Sequence, residues 1–236
     1  MIRFLALATA VIALVIGAPS PAKAQTLSEF ALPTAGSQPR VVAAGPDGAL
    51  WFTQYSGNRI GRIDTAGVIT QFTLPTTASG PMGIAAGSDG ALWFTQQSGN
   101  RIGRITTAGV ITQFALPTAG STPRGIAAGP DGALWFTQSG GNRIGRITTA
   151  GVITQFTLPT AGSQPWDITA GPDGALWFTQ YVGNRIGRIT TAGVITQFTL
   201  PTADSQPYGI AAGSDGALWF TQQSGNRIGR ITTAGV

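Results

Sequence analysis

The sequence predicts an all-β protein, a β-propeller assembled from four-stranded blades. A stretch reading Gly-Pro-Asp-Gly-Ala-Leu-Trp-Phe-Thr-Gln begins at Gly45 and returns every 42 residues, with Ser in place of Pro in two copies, at Gly87, Gly129, Gly171 and Gly213. Each unit holds four short apolar segments separated by turn residues, and none has helical periodicity. Such repeats are typical of propeller blades, whereas the repeats of the alternative, a β-solenoid, are usually shorter.

The second unit shows how the four strands arise. Small and branched apolar residues alternate with Gly-Ser-Asp-Gly, Ser-Gly-Asn and Thr-Ala-Gly turns, in which Asp, Asn and Gly favour tight reversals of the chain. Pro117 ends the unit because proline cannot donate to a strand ladder. The predicted strands of this unit cover residues 83–86, 91–95, 101–105 and 110–114.

The ends of the repeat region predict a closed ring. Residues 26–33 match the fourth strand of each unit, and the last unit reaches Val236 without a fourth strand of its own. We therefore predict that residues 25–236 form five blades, closed by pairing of the segment 26–33 with the last blade. Closure removes exposed strand edges. The alternative is that the units belong to a longer array, since residues 87–110 and 213–236 are identical.

Residues 1–24 predict a secretory signal peptide. A positive start at Arg3 precedes an apolar run over residues 4–17, and Ala22-Lys23-Ala24 forms a cleavage site. The apolar run is short for a bilayer span, which needs about 20 residues. We expect an exported protein, periplasmic or secreted, with no membrane span after the signal peptide is removed.

Composition excludes several kinds of chemistry. The sequence contains neither Cys nor His, so it offers no thiol nucleophile and no imidazole base or metal ligand. The formal net charge is +5, but only 10% of residues are charged and no dense basic stripe occurs. We therefore predict no nucleic-acid partner, and we expect a monomer.

The candidate site comes from positions at which the repeats differ. Variation is concentrated in the linker before the first strand and in the turn between the second and third strands, which lie at one end of a blade. Binding residues concentrate in loops on a rigid scaffold, although unconstrained drift explains such variation equally well. The predicted ligand-binding residues are Arg40, Met82, Arg124, Trp166, Asp167, Tyr208, Tyr55 and Tyr181.

The variable end of the blades differs from the opposite end in its charge and in how strictly its residues repeat. The variable end carries more Arg than Asp, which favours an anionic or aromatic small molecule, a glycan or a peptide as the ligand. At the opposite end each repeat places one Arg near one Asp, and we predict structural ion pairs between them. The repeated tryptophans are predicted to be core residues: Trp51, Trp93, Trp135, Trp177 and Trp219.

The repeated segments also resemble those of a known family. Gly-Pro-Asp-Gly-Ala-Leu-Trp-Phe-Thr, Gly-Asn-Arg-Ile-Gly-Arg-Ile and Thr-Ala-Gly-Val-Ile-Thr-Gln-Phe, joined by Leu-Pro-Thr, are similar to the repeat of the streptogramin (virginiamycin B) lyase-like propellers over residues 26–236. The resemblance implies a seven-bladed propeller that opens a cyclic depsipeptide antibiotic by β-elimination. It also implies Mg²⁺ held by Glu and a His base at the channel mouth.

The sequence departs from that family pattern at the catalytic positions. It has no His, and where family repeats often carry Glu after Trp-Phe-Thr it has Gln54, Gln96, Gln138, Gln180 and Gln222. Glu29 is the single Glu and lies on the predicted closing strand. We predict no catalytic residue, no metal ligand and no cofactor, with Mg²⁺ expected only if lyase activity is retained. The predicted function is ligand or partner binding, and the alternative is Mg²⁺-dependent C–O lyase activity on streptogramin B antibiotics.

Overall fold

The computed structural model describes residues 27–236, so the predicted signal peptide lies outside the described residues. The first four blades each contain four antiparallel strands in chain order, and the fifth contains three. The strands of blades one and two are β1 Pro39–Ala44, β2 Leu50–Gln54, β3 Arg59–Ile63, β4 Ile69–Thr73, β5 Pro81–Ala86, β6 Ala91–Gln96, β7 Arg101–Thr106 and β8 Ile111–Ala115. Those of blades three to five are β9 Pro123–Ala128, β10 Leu134–Gln138, β11 Arg143–Ile147, β12 Ile153–Thr157, β13 Pro165–Ala170, β14 Leu176–Gln180, β15 Arg185–Ile189, β16 Ile195–Thr199, β17 Pro207–Ala212, β18 Ala217–Gln222 and β19 Arg227–Thr232.

The turns form as their residue types predict. Gly90 has a φ of +71° and Asn100 a φ of +52°, left-handed values that Gly and Asn adopt more readily than other residues. The Asp89 carboxylate accepts hydrogen bonds from the Ala91 backbone N–H (3.4 Å) and from the Trp93 indole (3.1 Å). The aspartate therefore closes the turn and positions the buried tryptophan, and the predicted strands of this blade are confirmed to within two residues.

Each first strand carries a bulge at its start. In blade two the pairing of β5 with β6 shifts between Pro81 and Ile84, and the same irregularity occurs in the other four blades. A bulge re-aims the side chains beside it. Met82 lies in this bulge, as do the other residues that follow the first proline of a blade.

The core lies between successive blades. Between blades one and two, Trp51 and Ile60 pack against Leu92 and Phe94, all of them buried. Trp51 also stacks on Phe72 at 5.5 Å between ring centroids. The next three interfaces repeat this arrangement. The prediction that the repeated tryptophans are core residues is therefore confirmed for Trp51, Trp93, Trp135 and Trp177, which are fully buried.

Ring closure by strand pairing is not seen among the described residues and stays a prediction. Residues 27–33 form no strand, and the fifth sheet keeps three strands. Trp219 and Ile228 are 41% and 65% exposed, so Trp219 is not a core residue, and at the other end Val42 is 58% exposed. The outer faces of the first and last blades are therefore partly exposed within the described residues.

The predicted ion pairs are present in all five blades, with N–O distances of 2.6–2.8 Å. Burial alone raises the pKa of Asp131, but hydrogen bonds from the Trp135 indole and the Arg146 guanidinium outweigh this effect and hold the pKa below 3.8. Such a carboxylate stabilises the fold above its unfolded-state pKa, and the stabilisation is lost as the pH falls through the folded-state value.

We expect the substitution Asp131→Asn to reveal this dependence. Near neutral pH the variant should be less stable than the wild type, because Trp135 and Arg146 lose a charged acceptor. The difference in the free energy of unfolding should shrink below about pH 4 and vanish at lower pH. Urea titrations at a series of pH values measure it, and a difference independent of pH would contradict the assignment.

Within the described residues, no helix is long and apolar enough to cross a membrane.

Candidate functional site

A cavity of about 270 Å³ opens where the first strands of the blades begin. Most of the predicted ligand-binding residues lie around it, one or two from each blade. Tyr55 and Tyr181 do not line it but support residues that do. The lining residues that the sequence predicted are Arg40, Met82, Arg124, Trp166, Asp167 and Tyr208.

Three aromatic side chains form a cluster on one wall of the cavity. The Trp166 ring contacts Tyr208 at 4.9 Å and Tyr181 at 5.2 Å between centroids, both at tilted angles. Tyr181 and Tyr208 meet edge to face at 6.3 Å. The Tyr181 hydroxyl donates a hydrogen bond to Gln206 Oε1 (2.8 Å), and this bond holds the Tyr181 ring in place. The cluster gives the cavity a rigid apolar surface suited to an aromatic group.

Arg124 places a cation on this aromatic wall. Its guanidinium carbon lies 3.6 Å from the Trp166 ring centroid, within the range of a strong cation–π contact. Burial lowers the pKa of Arg124, although interaction with Tyr208 and Tyr55 counteracts the shift, and arginine stays protonated. Its Nε atom is buried and has no hydrogen-bond partner among the described residues. No carboxylate of the described residues forms a salt bridge with Arg124, so an acidic side chain does not neutralise its charge.

Asp167 accepts backbone hydrogen bonds at the edge of the cavity. Its Oδ1 accepts a hydrogen bond from the Ile168 N–H (2.9 Å), and its Oδ2 accepts one from the Ile210 N–H in the next blade (3.1 Å). Burial raises the pKa of Asp167, and the two backbone hydrogen bonds partly offset the increase. Asp167 therefore links the fourth and fifth blades, a role that its place among the variable residues did not reveal.

The residues present do not fit the Mg²⁺ site that the family resemblance implies. Both oxygens of Asp167, the one carboxylate lining the cavity, already accept backbone hydrogen bonds. Across residues 27–236, no three carboxylate, His or Cys side chains lie close enough together to hold a metal ion. The second strands end in neutral Gln side chains, which are poor ligands for a hard divalent cation.

Buried threonines fix the backbone of the cavity residues. Thr137 Oγ1 accepts a hydrogen bond from the Gly125 N–H in its own blade (3.0 Å) and donates one to the Trp166 carbonyl in the next (2.8 Å). The equivalent threonines hold the carbonyls of Met82, Arg124 and Tyr208 in the same way. The invariant scaffold therefore positions the variable residues.

We expect Thr137→Val to destabilise the protein by about 1–2 kcal/mol, because it leaves the partly buried Gly125 N–H and Trp166 carbonyl without their partner. It should also weaken any ligand that contacts Trp166, since the backbone of this residue loses its anchor. Chemical denaturation measures the first effect. Thr221→Val is the matched control: Thr221 is exposed and accepts only from the Gly209 N–H (2.9 Å). Equal losses in the two variants would contradict the interpretation.

The first strands of neighbouring blades pack closely at two glycines. A Cβ on Gly83 would lie 2.5 Å from the Arg124 carbonyl oxygen, and one on Gly125 would lie 3.0 Å from Asp167 Cα. Both glycines line the cavity. The sequence indicates these glycines, because three of the five repeats have Gly directly after the variable residue. These glycines let neighbouring strands approach closely enough to form one continuous wall.

Comparison with known proteins identifies the family. Residues 9–236 match the virginiamycin B lyase family. The chain belongs to this family. No curated protein matches it.

Solved structures support the same family assignment. Virginiamycin B lyase from Staphylococcus aureus is 48% identical to this family member, with a TM-score of 0.87 over 89% of the present chain and 71% of that chain. A catalytically inactive His-to-Ala variant of the same enzyme, solved with quinupristin, gives the same values. A streptogramin B lyase is 44% identical, with a TM-score of 0.86 over 89% of the present chain and 70% of that chain.

The chain spans about 71% of the length of the Staphylococcus aureus enzyme that it matches. The Staphylococcus aureus variant with Ala in place of a His is catalytically inactive, and the present sequence contains no His at all.

Proposed function

We propose that this family member binds a small aromatic molecule or short peptide that carries a carboxylate or another anionic group. The observation that carries the proposal is the Arg124 guanidinium, held 3.6 Å over Trp166 on the wall of the cavity. An aromatic group can pack on Trp166 and Tyr208 while the anionic group approaches Arg124. Charge-assisted hydrogen bonds to a guanidinium are stronger than neutral ones.

The rim of the cavity supports the same ligand class. The Arg40 guanidinium lies 5.1 Å from the centre of the Tyr55 ring and adds a second cation in a more exposed place. Met82 contributes a flexible apolar side chain that can adapt to ligands of different shape. The volume, about 270 Å³, fits one aromatic group and a short substituent rather than a large macrocycle.

Lyase activity on streptogramin B antibiotics is the second candidate, favoured by the 48% identity to virginiamycin B lyase. Against it stand the absence of His and the poor fit of the site to Mg²⁺. Tyr208 and Asp167 are the cavity residues able to exchange a proton, and Asp167 is already bound to two backbone N–H groups.

The test uses two probes, quinupristin and phenylacetate, with phenylacetamide as the neutral control for the latter. Calorimetry measures binding, and mass spectrometry of the recovered quinupristin, with Mg²⁺ present, detects linearisation. We expect phenylacetate to bind at least about tenfold more tightly than phenylacetamide, because only the former pairs with Arg124.

The outcomes of this test distinguish ligand binding from lyase activity. Preference for the anion with unaltered quinupristin supports binding without catalysis. Linearisation that stops when EDTA removes the metal establishes the lyase and contradicts the first proposal. Equal affinity for phenylacetate and phenylacetamide, or no binding of any probe, overturns the assignment of an anionic aromatic ligand.

A further inference from the structure

Every blade carries an Asp-Gly sequence in the turn between its first and second strands. No other Asp of the sequence precedes a Gly, and the five pairs are Asp47-Gly48, Asp89-Gly90, Asp131-Gly132, Asp173-Gly174 and Asp215-Gly216. Asp-Gly is the aspartyl sequence most prone to rearrange, because glycine has no side chain to hinder attack of its own nitrogen on the aspartate side chain. The turns are therefore five places at which the backbone can isomerise.

This isomerisation is a condensation followed by a hydrolysis. In blade three the Gly132 nitrogen would form a bond to Cγ of a protonated Asp131, while the nitrogen loses its hydrogen and the carboxyl group its hydroxyl, and these two leave as water. The cyclic imide then takes up water at either carbonyl carbon. Opening at one carbonyl restores aspartate, and opening at the other gives isoaspartate, in which the main chain runs through the former side chain.

Three donors hold the Asp131 carboxylate. Its Oδ1 accepts hydrogen bonds from the Ala133 backbone N–H (3.4 Å) and the Trp135 indole (3.1 Å), and its Oδ2 accepts one from Arg146 Nε (2.7 Å). Burial raises the pKa of Asp131, but these bonds outweigh burial and lower the pKa overall. The side chain therefore stays ionised, without the hydroxyl that must leave, and its orientation is fixed.

The attacking nitrogen is held as well. The Gly132 N–H donates to the Gly129 carbonyl (3.1 Å), and the Gly129 N–H donates to the Ala133 carbonyl (2.8 Å), so the turn is closed around the Asp-Gly peptide. Attack on the carboxyl carbon disrupts the first of these bonds. A Cβ on Gly129 would lie 2.6 Å from Asp131 Oδ1, so glycine at this position leaves room for the carboxylate.

The other four blades hold their Asp-Gly turns in the same way. The distances from the Trp indole to the Asp are 3.0–3.1 Å, and those from Arg Nε to the Asp are 2.6–2.8 Å. The Gly N–H lies 3.2–3.3 Å from its carbonyl acceptor. Water is not excluded, since the Asp131 side chain is 19% exposed. Protection of these turns must therefore come from their hydrogen bonds.

We propose that the Trp–Asp–Arg arrangement of each blade is a chemical lock that suppresses isomerisation of its Asp-Gly sequence, and that the turn becomes a site of isoaspartate formation when the lock is broken. Isomerisation adds one atom to the main chain of a tight turn and moves the carboxylate away from the indole and the guanidinium. The lock therefore preserves the turn that leads into the second strand. This role is independent of the ligand that the cavity binds.

The test measures isoaspartate at each site while the full chain is incubated under native conditions, at mildly acidic and at neutral pH. Trypsin cleaves after arginine, which places the five sites in separate peptides, residues 41–59, 63–101, 125–143, 147–185 and 189–227. Chromatography separates the isoaspartyl form of each peptide, and mass spectrometry identifies it by its unchanged mass. Arg146→Met should raise the rate at Asp131 about tenfold and leave the other four sites unchanged.

Two further variants separate the lock from general destabilisation. Trp135→Phe keeps an aromatic ring and removes the indole N–H, so it should also raise the rate at Asp131. Thr137→Val removes hydrogen bonds elsewhere in the same blade and leaves the donors to Asp131 in place. In this control the rate at Asp131 should match that of the wild type.

Three results would overturn the proposal. The first is an unchanged rate at Asp131 in Arg146→Met. The second is equal acceleration at all five sites, which would mean that the substitution acts through unfolding of the protein. The third is that Asp131 of the wild type isomerises as fast as it does in the free peptide 125–143, which would mean that the folded turn gives no protection.

Discussion

Trp135→Ala should lower the free energy of unfolding by about 3–5 kcal/mol, the usual cost of removing a large buried aromatic side chain. Trp135 is fully buried between the third and fourth blades, where it packs with Leu176 and Phe178. It also stacks on Phe156 at 5.5 Å and donates its indole N–H to Asp131 (3.1 Å). Truncation opens a cavity at an interface and removes one hydrogen bond to the turn.

The repeat provides a matched control for this substitution. Trp219 occupies the same place in its blade and donates to Asp215 at the same 3.1 Å, but it is 41% exposed and stacks on no Phe among residues 27–236. Trp219→Ala should therefore cost less than half as much. Urea denaturation followed by circular dichroism measures both variants. Equal destabilisation would show that Trp219 is buried in solution and that the uncovered face is covered there.

The predictable part of the fold is the part that repeats. The 42-residue period and the turn residues around Gly90 and Asn100 predicted the strands of every blade, because each turn depends on local backbone preferences. Packing between blades is not a local property. Trp51 of the first blade packs in one cluster with Phe94 of the next, and the repeat alone does not determine how these side chains fit together.

The candidate site was predictable in its position and not in its contacts. Residues 42 apart occupy equivalent places on neighbouring blades, so Arg124, Trp166 and Tyr208 had to lie side by side. The contact of Arg124 with the face of Trp166 depends on side-chain conformation, which the sequence does not determine. The hydrogen bond of Asp167 to Ile210 could not be predicted, because Ile210 lies in the next blade and repetition gives no indication of the contact.

Arg124→Glu should weaken binding of phenylacetate about 100-fold. The substitution removes the cation that faces the ligand and places a carboxylate against the Trp166 ring, whose face repels negative charge. It also brings a like charge toward the ligand in a partly buried place, where electrostatic interactions are less screened than at the surface. Binding of phenylacetamide, which carries no charge, should change far less. Calorimetric titration of both compounds measures the difference.

Two further variants separate charge from packing. Arg124→Met keeps an apolar stem against Trp166 and removes the charge, so it should weaken phenylacetate binding about tenfold while preserving the aromatic cluster. Arg40→Glu reverses a charge at the exposed rim and should have an effect of about threefold that disappears at high salt. If Arg40→Glu weakened binding more than Arg124→Glu, the anion would bind at the rim. The cation on Trp166 would then serve to hold the fourth blade against the third, and the cavity would bind its ligand through the aromatic wall alone.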